Sequence, residues 1–338
     1  MGGREYMKSI VKQPLFWIGF LIIAGILAFS FYHKYVMNNV IPEDQFRYDE
    51  RELPIDKAPF TPDKINWFGT NQFGTDLFYM MVSGAKYTIG IALGVALARL
   101  LLSFFGGLVL SWFKFGGRFI TGSVQAFYYL PSVMLVYLIV SPIIMTTGYS
   151  LMEKILFEML IMVLIAVPLL SVLIKEEIGI ISQNEFIMSS RLMGAGYLHI
   201  FWKHVLPHLK GRLLVVFLQQ VISTLNLMAQ LGVLSLFVGG TIMREFSEEF
   251  KLPVSLSNEW SGLIGGAWYQ LNLYPHLVFF PVLGFAVCIL AFNFMLEGLR
   301  RAMDEPNVVK RRSTADETGT NTSLDTSSFQ FLDNKKAV

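Results

Sequence analysis

Charged side chains are scarce in this chain. Asp, Glu, Lys and Arg make up 15% of its 338 residues, where a soluble protein carries about a quarter. That shortage excludes an ordinary soluble domain of this length. Cysteine is nearly absent too. Cys288 is the only one and lies inside an apolar run, which excludes an intrachain disulfide framework and a cysteine metal site. The short motifs of common catalytic sites are also missing: there is no G-x-x-x-x-G-K-[ST] to cradle the phosphates of ATP, no H-E-x-x-H and no G-x-S-x-G. The histidines His33, His199, His204, His208 and His276 sit mostly at the ends of apolar runs. His204 and His208 are four residues apart, but Pro207 between them is expected to break the helix, so no metal pair is expected. The reading is of a non-enzyme that binds no metal or cofactor itself and has no nucleic-acid partner.

What the chain has instead is apolar length. Hydrophobic residues make up 54% of it, and the mean hydropathy is +0.52. Several runs reach about twenty residues, enough to cross a hydrocarbon core of about 30 Å. Six spans are expected, over 15–33, 87–112, 119–143, 155–174, 213–238 and 276–299. The first lacks a small-x-small cleavage site after it and reads as a membrane anchor, not a cleaved leader.

Orientation follows from Lys and Arg in the short loops. Arg4, Lys8 and Lys12 precede the first span, and Lys114 and Arg118 separate the second and third. Lys175, Arg191, Lys203, Lys210 and Arg212 lie between the fourth and fifth, and Arg300 and Arg301 follow the sixth. Six spans put all of these on one side, the cytoplasmic one, with both termini. The acidic segments 34–78 and 240–275 then lie outside. Prolines 42, 54, 59 and 62 argue against a long regular element in the first of these. The polar, Ser/Thr-rich residues 306–338 are expected to be a disordered tail.

Residues 182–207, SQNEFIMSSRLMGAGYLHIFWKHVLP, form a polar island on the cytoplasmic side of this topology. Ser182 and Glu185 have capping-box spacing, which predicts a helix start there. Gly194 and Gly196 permit a turn. Leu198, Phe201, Trp202 and Val205 follow i, i+3, i+4, i+7 spacing, giving a second helix one apolar face. Pro207 is expected to end it.

The order of a short helix, a glycine and a later Leu-Pro pair resembles the cytoplasmic EAA loop of ABC-importer permeases. Gly194, Leu206 and Pro207 keep the family spacing, but Met188, Ser189 and Ser190 stand where the family has Glu-Ala-Ala. Two further segments resemble the peptide and nickel importer permeases, specifically the C-type subunit. One is Gly69-Thr70-x-x-x-Gly74-x-Asp76 followed by Ser83-Gly84-Ala85, although Thr75 replaces the usual Arg. The other is Ala291-Phe292-Asn293, then Glu297-Gly298-Leu299-Arg300 and Asp304. Leu234 to Gly239 and Glu259-Trp260-Ser261-Gly262 are weaker echoes.

The resemblance implies an all-α membrane fold with six transmembrane helices. It comprises an N-terminus over 1–14, a first helix over 15–33, an extracytoplasmic segment over 34–86, a core permease domain over 87–305 and the tail. It implies a multi-pass protein of a bacterial cytoplasmic membrane, surrounded by lipid. The implied partners are a second permease subunit, two ABC ATPase subunits that hold ATP, an extracytoplasmic substrate-binding protein and a peptide substrate. The ATPase-coupling residues would be Glu185, Phe186, Met188, Ser189, Ser190, Arg191, Gly194 and Pro207.

Two polar features lie within the spans. Arg99 sits near the middle of the second, where a charge is costly and should face the bundle or a wet cavity. Gln219, Ser223, Asn226 and Gln230 follow 4, 3, 4 spacing along the fifth. Such a stripe can line a translocation path or hydrogen-bond a neighbouring helix. Two other classes stay open at this level: an accessory or sensory protein on a permease scaffold, and a secondary transporter using Arg99 with Glu158.

Overall fold

The computed structural model describes residues 9, 11–49, 51, 53–112, 122, 124, 129–144, 149–237, 241–245 and 251–319. Apolar helices dominate, because a helix satisfies its own backbone hydrogen bonds where no water is available. Helix α1 spans Pro14–Tyr35, its proline in the first turn, where a missing amide donor costs little. Helix α2 spans Leu77–Trp112, α3 Ser132–Ile144, α4 Leu151–Ser182, α5 Glu185–Leu192 and α6 Tyr197–Ile200. A π-helical segment, Phe201–Val205, leads into α7, Leu206–Val233. Helix α8 spans Trp260–Ala267 and α9 His276–Gly319.

Five helical stretches among the described residues are long and apolar enough to span a bilayer: Pro14–Tyr35, Leu77–Trp112, Met152–Ser182, Tyr197–Val233 and His276–Met303. The expected third span appears as the shorter α3, and most of 119–131 lies outside the described residues. The second span starts ten residues before the expected 87. Asp76 causes this by accepting the amides of Phe78 at 2.8 Å and Tyr79 at 3.2 Å, which caps α2 early. The tail expectation is also corrected over 306–319, since α9 continues to Gly319. Extending a nucleated helix adds one hydrogen bond per residue fixed, so polar composition need not stop it. Residues 320–338 lie outside the described set.

One apolar core joins most of the bundle. Ile89, Ala92 and Val95 of α2 pack with Met162 of α4, Val221, Leu225 and Met228 of α7, Ile264 of α8 and Cys288 of α9. Gly84 lets the backbones meet here, because a Cβ at that position would overlap the Asn258 carbonyl. Trp260 then locks α8 to α2, with its indole donating to the Met81 carbonyl at 2.9 Å and its amide to Thr88 Oγ1 at 3.0 Å. A second, smaller core gathers Leu170, Ile174 and Ile178 of α4 with Ile187, Ile200, Phe201, Val205 and Leu209.

Two antiparallel hairpins lie outside the helices. Strands β1, Phe46–Tyr48, and β2, Pro54–Lys57, pair with Phe46 opposite Lys57. Strands β3, Thr241–Glu245, and β4, Lys251–Ser255, pair with Thr241 opposite Ser255.

In β1, Arg47 bridges Asp63 and the Asn66 amide oxygen. Asn66 in turn donates to Asp76 Oδ2 at 2.9 Å, so this lip is tied to the α2 cap. The Asp63 carboxyl is held below its ordinary range, first by the Asn66 amide against an opposing effect of burial, then by Arg47 and the Ile65 amide. A depressed carboxylate stabilises the fold above its unfolded value and loses that contribution as pH falls through the folded one. The group is largely solvated, so the effect is small. Amide exchange at residues 65 and 66, relative to intrinsic rates, is expected to speed up between about pH 5 and pH 3. Asp63→Asn should show no such pH dependence.

Candidate coupling loop and polar helix face

The loop after α4 does not start as its sequence suggests. Ser182 is not a cap. Its hydroxyl donates to the Ile178 carbonyl at 2.7 Å, inside the last turn of α4. Asn184 takes the cap position in an extended conformation, without capping through its side chain, which donates back to the Ile181 carbonyl. Helix α5 then begins at Glu185.

Ile187 and Ser190 form the inner face of α5, and Ile187 is 0% exposed in the second core. Burying an isoleucine of this kind stabilises by roughly 2 kcal/mol. Glu185, Phe186, Met188, Ser189 and Arg191 face outward, as does Leu192, 90% exposed. The two serines in the Glu-Ala-Ala positions bond only within the helix: Ser189 to the Glu185 carbonyl at 3.0 Å and Ser190 to the Phe186 carbonyl at 3.1 Å. Gly194 ends α5 at φ +85°, a conformation that penalises a Cβ atom.

Pro207 does not end the following helix. Tyr197–Val233 is continuous, and its π segment absorbs the proline. The Leu206 amide reaches back five residues to the Phe201 carbonyl, so the missing donor at Pro207 falls in the first turn of α7. The wider turn also shifts the buried face to Ile200, Phe201, Val205 and Leu209. Leu198 and Trp202, half of the expected apolar stripe, point outward, Trp202 at 65% exposure.

A contact that sequence spacing hid lies across this turn. The Phe186 ring sits 5.3 Å from His208 and 6.1 Å from His204, centroid to centroid. The two histidines, His204 in the π segment and His208 in α7, seat α5 against this turn. His208 Nδ1 lies 2.8 Å from the His204 carbonyl oxygen and donates to it. An ion pair between Arg212 and Glu177, 2.8 Å, ties the start of α7 to α4. The i, i+4 histidines on an unbroken helix were the available signal, obscured by Pro207.

Further along α7, Gln219 is half-buried and Ser223, Asn226 and Gln230 are exposed. They share one open face, as their spacing predicts. Arg99 is not on it. It is 3% exposed, and it donates through Nε at 3.0 Å and Nη2 at 2.8 Å to the Met162 carbonyl of α4, and through Nη1 at 3.5 Å to Gln220 Oε1. Beyond α7, the Glu259 carboxylate caps α8. It accepts the Ser261 amide at 2.8 Å, the Ser261 hydroxyl at 2.7 Å and the Gly262 amide at 2.7 Å.

Together, a bundle of apolar helices, a short outward-facing helix seated on it and an open polar face define a membrane transport scaffold. Residues 90–305 match the binding-protein-dependent transport system inner membrane component family, and the chain belongs to that family. It is 26% identical over 305 residues to the oligopeptide transport system permease protein OppC of Bacillus subtilis, covering 89% of this chain and 88% of that one. It is 23% identical over 302 residues to the glutathione transport system permease protein GsiD of Pectobacterium atrosepticum, covering 89% and 90%. Among solved structures, the inward-facing MetNI methionine ABC transporter aligns with 67% of this chain and 96% of its own, at 17% identity and a TM-score of 0.48.

Proposed function

We propose that this chain is one membrane half of an ATP-driven importer of short peptides. Its relatives are named for oligopeptide and glutathione transport, which supports that substrate class. In this reading a second permease subunit completes the pathway, and one of two ATPases binds the outward face of α5. A binding protein delivers cargo at the opposite end, beside the 36–76 lip. Both termini and α5 are cytoplasmic, in agreement with the Lys and Arg distribution.

The observation that carries the reading is the two-sided build of α5. Ile187 fixes one side to the bundle, while Met188, Arg191 and Leu192 present the other. Motion imposed on that outer side passes through Ile187 and Phe186 into Phe201, Val205 and the two histidines, and so into α7. Gln219, Ser223, Asn226 and Gln230 on the open face of α7 would then line the pathway. The outward Met188 and Ser189 make this contact uncharged where the family resemblance implies a glutamate.

The test is purification of the tagged chain from its native membrane, with identification of what accompanies it. A second permease and ATPases are expected, with ATP-dependent uptake of short peptides after reconstitution. Replacing 183–193 by a Gly/Ser segment should release the ATPases while the permease pair persists. A chain that purifies alone, or a complex without ATP-dependent uptake, would overturn the assignment.

A further inference from the structure

Arg99 presents an unusual arrangement. It is a guanidinium buried in the middle of the bundle, and no carboxylate among the described residues lies within ion-pairing distance of it. Its counterpart on α4 is a carbonyl, Met162, held by two of its N–H groups at 2.8 and 3.0 Å. Its counterpart on α7 is the neutral Gln220, at the long distance of 3.5 Å. The two attachments differ in strength. The pair of short bonds makes α2 and α4 one body, reinforced by Ser103 donating to the Val167 carbonyl at 3.3 Å. The single long bond to Gln220 is the weak member, and it is the one that crosses to the helix carrying the polar face.

We propose that Arg99 and Gln220 form a releasable latch between the α2–α4 body and α7, and that both are positioning residues for the transport cycle. This rests on the importer reading above. In the arrangement seen here the latch is closed and Arg99 is shielded. When α5 drives α7 away from α4, the Arg99–Gln220 bond breaks while the Met162 bonds hold. The neutral partner suits that role. A charge-assisted hydrogen bond is roughly twice as strong as a neutral one, and an Arg–carboxylate pair can be bidentate. A carboxylate at position 220 would therefore hold α7 too firmly to cycle, and an apolar residue would leave only the side-chain packing of the shared core to hold it.

The experiment uses the reconstituted complex with Gln220→Glu and Gln220→Leu, reading thermal stability, peptide uptake and ATP hydrolysis without substrate. Gln220→Glu is expected to raise the melting temperature yet lower uptake at least about tenfold, the effect of 1.4 kcal/mol of added closed-state stability. Adding Arg99→Gln to Gln220→Glu should remove the rise in melting temperature and restore part of the uptake. Gln220→Leu is expected to raise substrate-independent ATP hydrolysis severalfold. A purely structural contact would move stability and uptake in the same direction. If wild type transports and both Gln220 variants match it, or if uptake only tracks melting temperature, the latch is overturned. If wild type itself shows no ATP-dependent uptake, the importer reading fails instead.

Discussion

Replacing Ile187 with Asp is expected to abolish ATP-driven uptake while leaving the ATPases bound. Ile187 is 0% exposed and lies on the inner face of α5, away from the surface that faces outward. A carboxylate in its place would be buried without a partner among Ile178, Ile200, Phe201 and Val205, which is costly enough to force α5 off the bundle. The side chain is too short to reach water by snorkelling. A loss of 1.4 kcal/mol already shifts the seated-to-unseated ratio tenfold, and an uncompensated buried charge exceeds that. Uptake by reconstituted complex should fall by far more than tenfold, and basal ATP hydrolysis should persist. Ile187→Val is the control. It removes one methylene at about 1 kcal/mol and should retain most activity. Loss of the ATPases from the Asp variant, or undiminished uptake, would show that Ile187 does not transmit the motion.

The second large effect concerns Glu259. Its carboxylate satisfies three donors at the buried N-terminus of α8, all at 2.7–2.8 Å. Glu259→Ala leaves them orphaned, and each unsatisfied buried donor costs about 1–3 kcal/mol. A loss of about 3 kcal/mol corresponds to a fall in melting temperature of about 4 °C for a chain of this size. Glu259→Gln keeps one carbonyl oxygen at the cap and should lose about half as much. Differential scanning of the purified complex reads both. Equal melting of the Ala and wild-type complexes would mean that Trp260, bonded to Met81 and Thr88, positions α8 by itself.

The sequence showed the outline of the bundle because apolar length is a composition signal that tertiary contacts cannot hide. The polar face of α7 and the turn at Gly194 were equally legible, since each follows from spacing or from one residue's conformational range. The failures have a common cause. Ser182, Asp76 and Pro207 are residues whose local rule depends on where neighbouring backbone groups go. Ser182 bonded backward into α4 instead of forward into α5. Asp76 capped α2 ten residues before the expected start at 87, across a stretch that contains Ser83 and Lys86. Pro207 was accommodated by a five-residue hydrogen bond that no periodicity predicts. Contacts between distant side chains, such as Phe186 with His208 or Arg99 with Gln220, require the fold itself.

The unbroken run Tyr197–Val233 has one more consequence. Its 37 residues make a rod of about 55 Å at 1.5 Å per residue. The seat of α5 is at one end and Gln230 is near the other. Tilting such a rod by about 10° around its middle displaces each tip by about 5 Å, in opposite directions, a distance close to one helical turn. Its only structural irregularity, the π turn with Pro207, lies within the first eleven residues. The long remainder is stiff, so a push at the α5 end reaches the opposite surface of the bilayer as leverage. Arg99 and Gln220 stand near the fulcrum of that lever, where the same tilt moves the helix by only about 1 Å, enough to open a bond that is already 3.5 Å long.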